Sequence, residues 1–465
     1  MVILSSALIR RGRSVNYARI TALLICALGI LPVFATPLMP SVWPAVALVT
    51  LAAAAHCGYA AMIGTDGAGP RVVRTRNIRT TTMNPRPITP LAAVLERRRP
   101  ARVPYAPNYW QWFVHQRNHG LLPAGIAHCQ SQLELIHWLG LDVFSRNAYC
   151  DEQRGWFGGL AEPVMHGVEC VETELRDQKD RVIERTWHTA KGSLTERTRY
   201  LFAESTLVQE RFPVTCIPGE LPALYALLAG RRWRFKADEY ARWQAAAGDT
   251  GLINAGELYS PLKMLHLVMG SVETAYLLDD EPELAAELVA LHEEAMLDLV
   301  GQMARAGVKV LMAMDNLDSA FHSPAHLERC SASFYERAAR ICHDHGSLFF
   351  IHACGHQRAI LPLIASLGVD GLEGVAFPPL GNVALDEAMR LSGERLIITG
   401  GISAAEFGRL QTRAQVFDYT ADLFRRMEPF ANRFILSASC ATPYNAPWNA
   451  ILHFRDAWRE FAVYP

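Results

Sequence analysis

The chain has 465 residues, half of them hydrophobic and a fifth charged, with a formal net charge of −1. A chain of this length can bury a large core, and its balanced charge excludes a general electrostatic attraction to nucleic acid or to an anionic membrane. Its ten cysteines are too sparse for a disulfide scaffold and show no paired CxxC spacing, which favours a reduced, cytoplasmic catalytic region.

Two apolar runs, residues 20–36 and 44–63, distinguish the N-terminal region from the rest of the chain. Each run is about long enough to cross a bilayer, and a short turn containing proline joins them. Arginines flank the pair on both sides, so both ends would lie in the cytoplasm. The pattern predicts a two-helix transmembrane segment within residues 1–66, a linker over residues 67–90, and a globular domain over residues 91–465.

The motifs Asn16-Tyr17-Ala18-Arg19 and Ala54-Ala55-His56-Cys57-Gly58-Tyr59-Ala60 in this segment resemble part of a major facilitator transporter of the hexuronate type. Two helices cannot transport a solute alone, so the resemblance implies at most a membrane anchor for the domain that follows. The alternative is that Met83 is the natural start and that the preceding residues are a gene-model extension.

From residue 91 onward, strand-like apolar runs alternate with helical patterns. The strand-like runs are residues 103–107, 252–255, 308–314, 347–351, 371–375, 396–401 and 433–437. Helical patterns over residues 283–306, 334–345 and 357–367 separate several of them. At least five βα units in series favour a (β/α)8 TIM barrel over an open sheet. No GxGxxG follows the first strand, which removes the main reason to expect a dinucleotide-binding sheet.

One region departs from this alternation of strands and helices. Residues 166–201 contain two stretches in which polar and apolar side chains alternate. This period of two is typical of half-buried strands. It predicts a short antiparallel insertion on the N-terminal side of the barrel.

Three possible metal ligands lie at the ends of two predicted strands. His352 and Cys354 follow the run at residues 347–351, and Cys440 follows the run at residues 433–437. The carboxyl ends of barrel strands meet at one mouth, where active sites lie. Three protein ligands with one open position are typical of catalytic zinc, which can hold a thiol substrate as its thiolate. The alternative is a packed histidine beside buried core thiols.

Two carboxylates are candidate catalytic residues. Asp315 ends the strand at residues 308–314, and Glu373 lies within the strand at residues 371–375. Asp315 could orient His352, accept a proton or bind substrate, and at a wet barrel mouth its change to Asn would cost about 1 kcal/mol or less of stability. The alternatives are an N-cap for the following loop and a paired structural carboxylate.

Six further residues are predicted to bind substrate: Asn108, Trp110, Asn254, Glu257, Gly400 and Gly401. Asn254 and Glu257 could line the barrel mouth. The paired glycines allow a close backbone approach and could hold a phosphate or a carboxylate. Trp110 and its aromatic neighbours could form an apolar platform for a ring substrate or a partner, with ordinary core packing as the alternative.

Four motifs occur together in the globular part: His352-Ala353-Cys354-Gly355-His356, Asp370-Gly371-Leu372-Glu373-Gly374, Phe377-Pro378-Pro379-Leu380-Gly381-Asn382 and Ile398-Thr399-Gly400-Gly401-Ile402-Ser403. With them, nearly all of residues 91–464 resembles the uroporphyrinogen decarboxylase superfamily, whose fold is a (β/α)8 barrel. One branch decarboxylates porphyrinogens without a cofactor and carries an Arg-Gln-Ala-Gly-Arg motif near its start. The matching residues 108–117 lack that motif. The other branch transfers methyl groups through a His-x-Cys…Cys zinc set.

The resemblance to the second branch implies that His352, Cys354 and Cys440 hold zinc, although Ser439-Cys440 departs from the Gly-Cys form expected at the third ligand. It implies a zinc-dependent methyltransferase in corrinoid-linked methyl transfer or demethylation, with a small methyl donor or thiol acceptor. The corrinoid would belong to a separate partner protein, because the chain has no Asp-x-His-x-x-Gly cobalamin loop. The alternatives are a uroporphyrinogen decarboxylase, with Asp315 near the pyrrole nitrogens, and a non-catalytic ligand-binding barrel tethered to a membrane.

Overall fold

The computed structural model describes residues 88–155 and 158–463. Its helices are α1 (Pro90–Leu95), α2 (Trp110–Asn118), α3 (Gln132–Leu139), α4 (Leu221–Gly230), α5 (Ala237–Ala246), α6 (Pro261–Asp280), α7 (Pro282–Arg305), α8 (Pro324–Cys330), α9 (Ala332–Asp344), α10 (Leu361–Ser366), α11 (Leu385–Leu391), α12 (Glu406–Arg409), α13 (Arg413–Met427) and α14 (Trp448–Phe461). Its strands are β1 (Phe144–Ser145), β2 (Ala161–Met165), β3 (Val168–Asp177), β4 (Asp180–Thr189), β5 (Gly192–Leu201), β6 (Thr206–Arg211), β7 (Arg231–Phe235), β8 (Leu252–Ile253), β9 (Ala255–Leu258), β10 (Val310–Ala313), β11 (Leu348–His352), β12 (Gly371–Val375), β13 (Ile397–Ser403) and β14 (Phe434–Ser439).

The predicted transmembrane segment within residues 1–66 lies outside the described residues and stays a prediction. Among the helices that the structure describes, none is both long and apolar enough to cross a membrane.

Parallel strands form a closed ring. Strands β9 to β14 pair in sequence order in one parallel sheet, and β1 pairs in parallel with β8, which leads directly into β9. The segment around Tyr105 closes the ring. The Ala106 N–H donates to the Leu436 carbonyl of β14, and the Asp142 N–H, just before β1, donates to the Tyr105 carbonyl, both at 2.9 Å. The predicted parallel sheet with helical crossovers is confirmed, and its closure gives the (β/α)8 arrangement.

Alternate residues of the barrel strands pack on opposite sides of the ring. Met312, Phe350 and Ile397 are fully buried in one cluster inside it. Their sequence neighbours Leu311 and Phe349 belong to the larger cluster that includes the surrounding helices. Each fully buried side chain of this size contributes about 1.5–3 kcal/mol. The apolar interior therefore fills the barrel below the mouth, where the polar side chains lie.

The antiparallel insertion lies between β1 and β8 and is longer than predicted. Strands β3 to β6 form a four-stranded sheet in sequence order, and β2 pairs with β7, so the insertion covers residues 161–235 rather than 166–201. An isolated hairpin is marginally stable in water and needs further strands or a helix to cover one face. Here Ile183, Trp187 and Leu194 are buried on the inner face of the sheet.

Candidate metal centre

One imidazole and two thiols converge at the barrel mouth. His352 is the last residue of β11, Cys354 follows it by two residues, and Cys440 comes directly after β14. Their ligand atoms all lie within 4.8 Å of one another, and His352 Nε2 lies 3.3 Å from Cys440 Sγ. Among the described residues this is a group that could hold a metal ion.

Glu373 fixes the orientation of the His352 ring. Its Oε2 contacts His352 Nδ1, and both side chains are almost fully buried. With Nδ1 bonded to the carboxylate, Nε2 is left to face the two sulfurs, as in carboxylate–histidine–metal arrangements. Gly374 has a φ of +88°, and a side chain there would come within 2.9 Å of His352 Cε1. The glycine after Glu373 therefore makes room for the imidazole.

Arg146 reaches the same residues from the opposite side of the barrel. Its Nε donates to Glu373 Oε2 at 2.9 Å, and its Nη2 lies 3.7 Å from Cys440 Sγ. Its side chain is only 4% exposed. Burial lowers the pKa of this guanidinium, but the anions of Glu373 and Cys440 outweigh burial and raise the pKa. Arg146 therefore stays charged inside the site.

The electrostatics of the donor set fit a divalent cation. The hydrogen bond with Cys440 and burial raise the pKa of the Cys354 thiol well above its usual range, because a second thiolate beside the first is unfavourable. Burial opposes protonation of His352, but Cys440 and Glu373 outweigh it and raise the pKa of His352. A divalent cation supplies the charge that two thiolates need, and nitrogen and sulfur donors suit zinc.

Asp315 belongs to a buried structural network. Its side chain is fully buried, its Oδ1 accepts the Ser260 N–H at 2.9 Å, and its Oδ2 accepts the Tyr335 hydroxyl. Ser260 is the N-cap of α6. Burial raises the pKa of Asp315, although both hydrogen bonds oppose the shift. The expectation that Asp315 would face a wet mouth and orient His352 is therefore corrected. The oxygens of Asp315 accept hydrogen bonds from Ser260 and Tyr335, and it is Glu373 that contacts the imidazole.

Glu257 anchors the start of the insertion. It is buried, and its two carboxylate oxygens accept the backbone N–H groups of Leu160 and Ala161 at 3.0 and 3.1 Å. Burial raises the pKa of Glu257 from 4.5 to about 7, against the lowering effect of these hydrogen bonds. These contacts assign Glu257 a role in holding β2, in place of the expected contact with substrate.

Changing Glu257 to Gln should alter how stability depends on pH. A carboxyl with a raised folded-state pKa stabilises the protein most below about pH 4.5, and this contribution is lost as the pH rises through about 7. The unfolding free energy of Glu257→Gln, relative to the original chain, should thus increase by about 3 kcal/mol between pH 4.5 and 8. Denaturant unfolding at several pH values measures this. Glu169→Gln, at an exposed position, serves as control and should show no such increase. If the difference in unfolding free energy between Glu257→Gln and the original chain is as independent of pH as that of the control, the assignment is contradicted.

Asn254 has unpaired polar atoms close to the metal centre. Its backbone is bonded, since its N–H donates to the Ser145 carbonyl and its carbonyl accepts the Tyr149 hydroxyl. Its side chain is fully buried, yet neither amide atom has a partner among the described residues. Because Ser145 pairs with Ile253 in parallel register, the next residues, Arg146 and Asn254, lie side by side at the mouth.

Asn108 and Trp110 support neighbouring segments. The Asn108 side chain accepts the Trp110 N–H at 3.2 Å, and its carbonyl accepts the Thr442 N–H at 2.9 Å, which holds the loop after Cys440. Trp110 is 5% exposed and belongs to the apolar cluster inside the barrel. The alternative of core packing thus describes Trp110 better than an apolar platform for a ring substrate or a partner.

The two glycines of β13 have different surroundings. A side chain at Gly400 would meet the Val375 carbonyl at 3.0 Å and the Ser439 hydroxyl at 3.5 Å, next to the metal centre. Gly401 has a φ of +111° and packs against Leu436. Its carbonyl accepts the Tyr419 hydroxyl at 2.6 Å. Gly401 therefore contributes to the packing of β13. This differs from the expectation that it would help to bind a phosphate or a carboxylate.

Arg146 is the residue that sequence reasoning missed. It follows a barrel strand of only two residues, β1, which the apolar patterns did not reveal. The signal was the short alternation Leu141-Asp142-Val143-Phe144 ahead of a basic residue. A charged side chain directly after such a run is a candidate for a barrel mouth.

Comparisons with known proteins agree with this barrel. The family model described as Uroporphyrinogen decarboxylase (URO-D) matches residues 244–461, which contain His352, Cys354 and Cys440. A solved methyltransferase from Methanosarcina mazei is 14% identical with a TM-score of 0.51, over 80% of this chain and 99% of that one. At this identity the likeness shows the fold alone. D-psicose 3-epimerase from Clostridium cellulolyticum H10 is 12% identical with a TM-score of 0.30, over 49% and 85% of the two chains, too low to support an argument. No curated protein matches the chain.

Proposed function

We propose that the chain is a zinc-dependent methyltransferase that acts in corrinoid-linked methyl transfer or demethylation. The observation that carries the proposal is the convergence of His352, Cys354 and Cys440 within 4.8 Å at the barrel mouth. The URO-D match over residues 244–461 and the methyltransferase fold of the Methanosarcina neighbour support it.

The three residues would hold zinc through His352 Nε2 and the two sulfurs. A zinc ion bound by three protein ligands offers an open position at which a thiol loses its proton near neutral pH. Glu373 keeps the imidazole in the tautomer that presents Nε2. In the transfer, the substrate sulfur would supply the electron pair of the new S–C bond. The bond between the methyl carbon and its donor would break, with its electron pair staying on the donor.

Other residues would shape the space around the reacting atoms. Asn254 is the best placed candidate to bind substrate, because its buried amide has an unpaired donor and an unpaired acceptor. Because Gly400 has no side chain, the space beside Ser439 stays open. The corrinoid would be carried by a separate protein. The barrel within residues 91–465 is the catalytic unit of this proposal.

Binding of a thiol to the cobalt(II)-substituted protein tests the proposed site. Cobalt(II) replaces zinc in such sites and gives a sulfur-to-metal absorption band. Adding 2-mercaptoethanol should increase this band saturably, and His352→Ala should abolish the increase, because the imidazole is one of three ligands. His345→Ala, which changes an exposed histidine at the end of α9, should behave like the original chain. An unchanged spectrum with thiol would count against the proposal.

The alternative is a decarboxylase, which the description of the matching family model names. Two observations weigh against it. Residues 108–117 lack the arginine-rich motif that would bind a polycarboxylate, and both oxygens of Asp315 are engaged by Ser260 and Tyr335. Carbon dioxide release from a porphyrinogen should therefore be undetectable. Release at an ordinary enzymatic rate, unaffected by chelators, would replace the methyltransferase proposal.

A further inference from the structure

Four side chains at the metal centre form a closed circuit of contacts. Arg146 Nε donates to Glu373 Oε2, Glu373 Oε2 contacts His352 Nδ1, His352 Nε2 lies 3.3 Å from Cys440 Sγ, and Arg146 Nη2 lies 3.7 Å from the same sulfur. The guanidinium therefore joins one ligand directly and a second through a carboxylate.

Because the guanidinium of Arg146 is buried, its positive charge needs anionic neighbours. A buried charge is costly unless it is paired and hydrogen-bonded, and an unpaired partner left behind is strongly destabilising. Arg146 donates to Glu373 through Nε and to Cys440 through Nη2. The fork geometry of a guanidinium can serve two acceptors at once, which a lysine ammonium does less well. The arrangement places a cationic N–H donor against the Cys440 sulfur, and such a hydrogen bond draws electron density from the sulfur.

The two cysteines are unequal in this respect. Cys440 receives the N–H of Arg146, whereas Cys354 has Cys440 as its hydrogen-bond partner and, within the described residues, no hydrogen bond from a cationic side chain. Both are partly accessible. A thiolate that accepts a charged hydrogen bond is a weaker nucleophile than one that does not, because its lone pairs are stabilised.

We propose that Arg146 is a positioning residue that suppresses the nucleophilicity of Cys440, so that a methyl group passes to the sulfur of the substrate and not to this ligand. The inference rests on the proposed function for the presence of metal and methyl donor. A misdirected transfer would form an S–C bond from a lone pair of Cys440 and break the methyl–donor bond, with its electron pair leaving on the donor. The product, a thioether, is a poor zinc ligand, so one such event would disable the site.

Alkylation of the zinc-loaded full chain tests the inference without any natural substrate. Iodomethane methylates sulfur with release of iodide, and peptide mass spectrometry reports the rates at Cys440 and Cys354 separately. In Arg146→Gln, methylation of Cys440 should rise about tenfold, the order of effect expected when one hydrogen bond to a charged group is lost. Methylation of Cys354 should change much less, since the hydrogen bond from Arg146 goes to Cys440. Arg185→Gln, which changes a buried arginine in the insertion, should leave both rates unchanged.

The ratio of the two rates separates this role from a merely structural one. A parallel rise at both cysteines would mean that Arg146 only holds the site together, and an unchanged ratio would overturn the inference. If Arg146→Gln does not fold, Arg146→Lys keeps the charge without the fork and should raise the ratio by a smaller factor. No rise in Arg146→Lys would then overturn it. Metal content and thiol binding of the same samples test the proposed function separately.

Discussion

Replacing Cys354 and Cys440 together by alanine should reduce the metal content from about one zinc per chain to none. The double variant keeps only His352, and a lone imidazole cannot hold zinc against water at micromolar protein concentration. Because the proposed chemistry needs the metal, methyl transfer to a thiol should fall below detection. Elemental analysis of the desalted protein measures the first effect, and product formation measures the second.

A matched double variant controls for the loss of two thiols. Cys170→Ala with Cys216→Ala removes one half-buried and one exposed cysteine that do not belong to the candidate metal group. This variant should keep its zinc and its activity. Full zinc occupancy in the double variant Cys354→Ala, Cys440→Ala would show that zinc is bound at another site.

Asp315→Asn should destabilise the protein by about 2–3 kcal/mol, because it disturbs a buried hydrogen-bond network. The carboxylate accepts from both Ser260 and Tyr335, and an amide offers one acceptor oxygen and a donor in place of the second. Since these contacts stabilise the start of α6 and not the metal ligands, zinc content at low temperature should be unchanged. Denaturant unfolding and elemental analysis of the same sample measure the two quantities.

Tyr335→Phe tests which half of this network matters. It removes the hydroxyl that donates to Asp315 Oδ2 and leaves the Ser260 contact in place. The loss of stability should be about 1–2 kcal/mol, smaller than for Asp315→Asn. If Asp315→Asn unfolds normally but loses methyl-transfer activity, Asp315 acts in the site and the structural assignment is wrong.

The barrel could be predicted because buried parallel strands are continuous apolar runs. The runs at residues 308–314, 347–351 and 396–401 correspond to β10, β11 and β13 within one or two residues at each end. Prediction failed where tertiary contacts replace local pattern. The two-residue β1 has too few side chains to show a period. The insertion extends beyond residues 166–201 because β6 adds to the edge of the sheet beside β5, and because β2 pairs with β7, a segment far from it in the sequence.

The site could be predicted only in part. His352, Cys354 and Cys440 stand at strand ends, where sequence position implies a shared mouth, and the structure brings them together. The roles of the carboxylates depend on partners far away along the chain: Arg146 and His352 for Glu373, and Tyr335 for Asp315. No local pattern encodes such partners.

A single-turnover methyl transfer tests whether His352, Cys354 and Cys440 form the centre of a methyltransferase. The zinc-loaded full chain is mixed with free methylcobalamin and 2-mercaptoethanol, and the loss of the methyl–cobalt absorption is followed together with the methylated thiol. We expect transfer that stops when a chelator removes the metal and returns when zinc is restored, with no transfer in Cys354→Ala, Cys440→Ala. Equal rates with and without metal, or in that double variant, would contradict the assignment of His352, Cys354 and Cys440 as the centre of a methyltransferase.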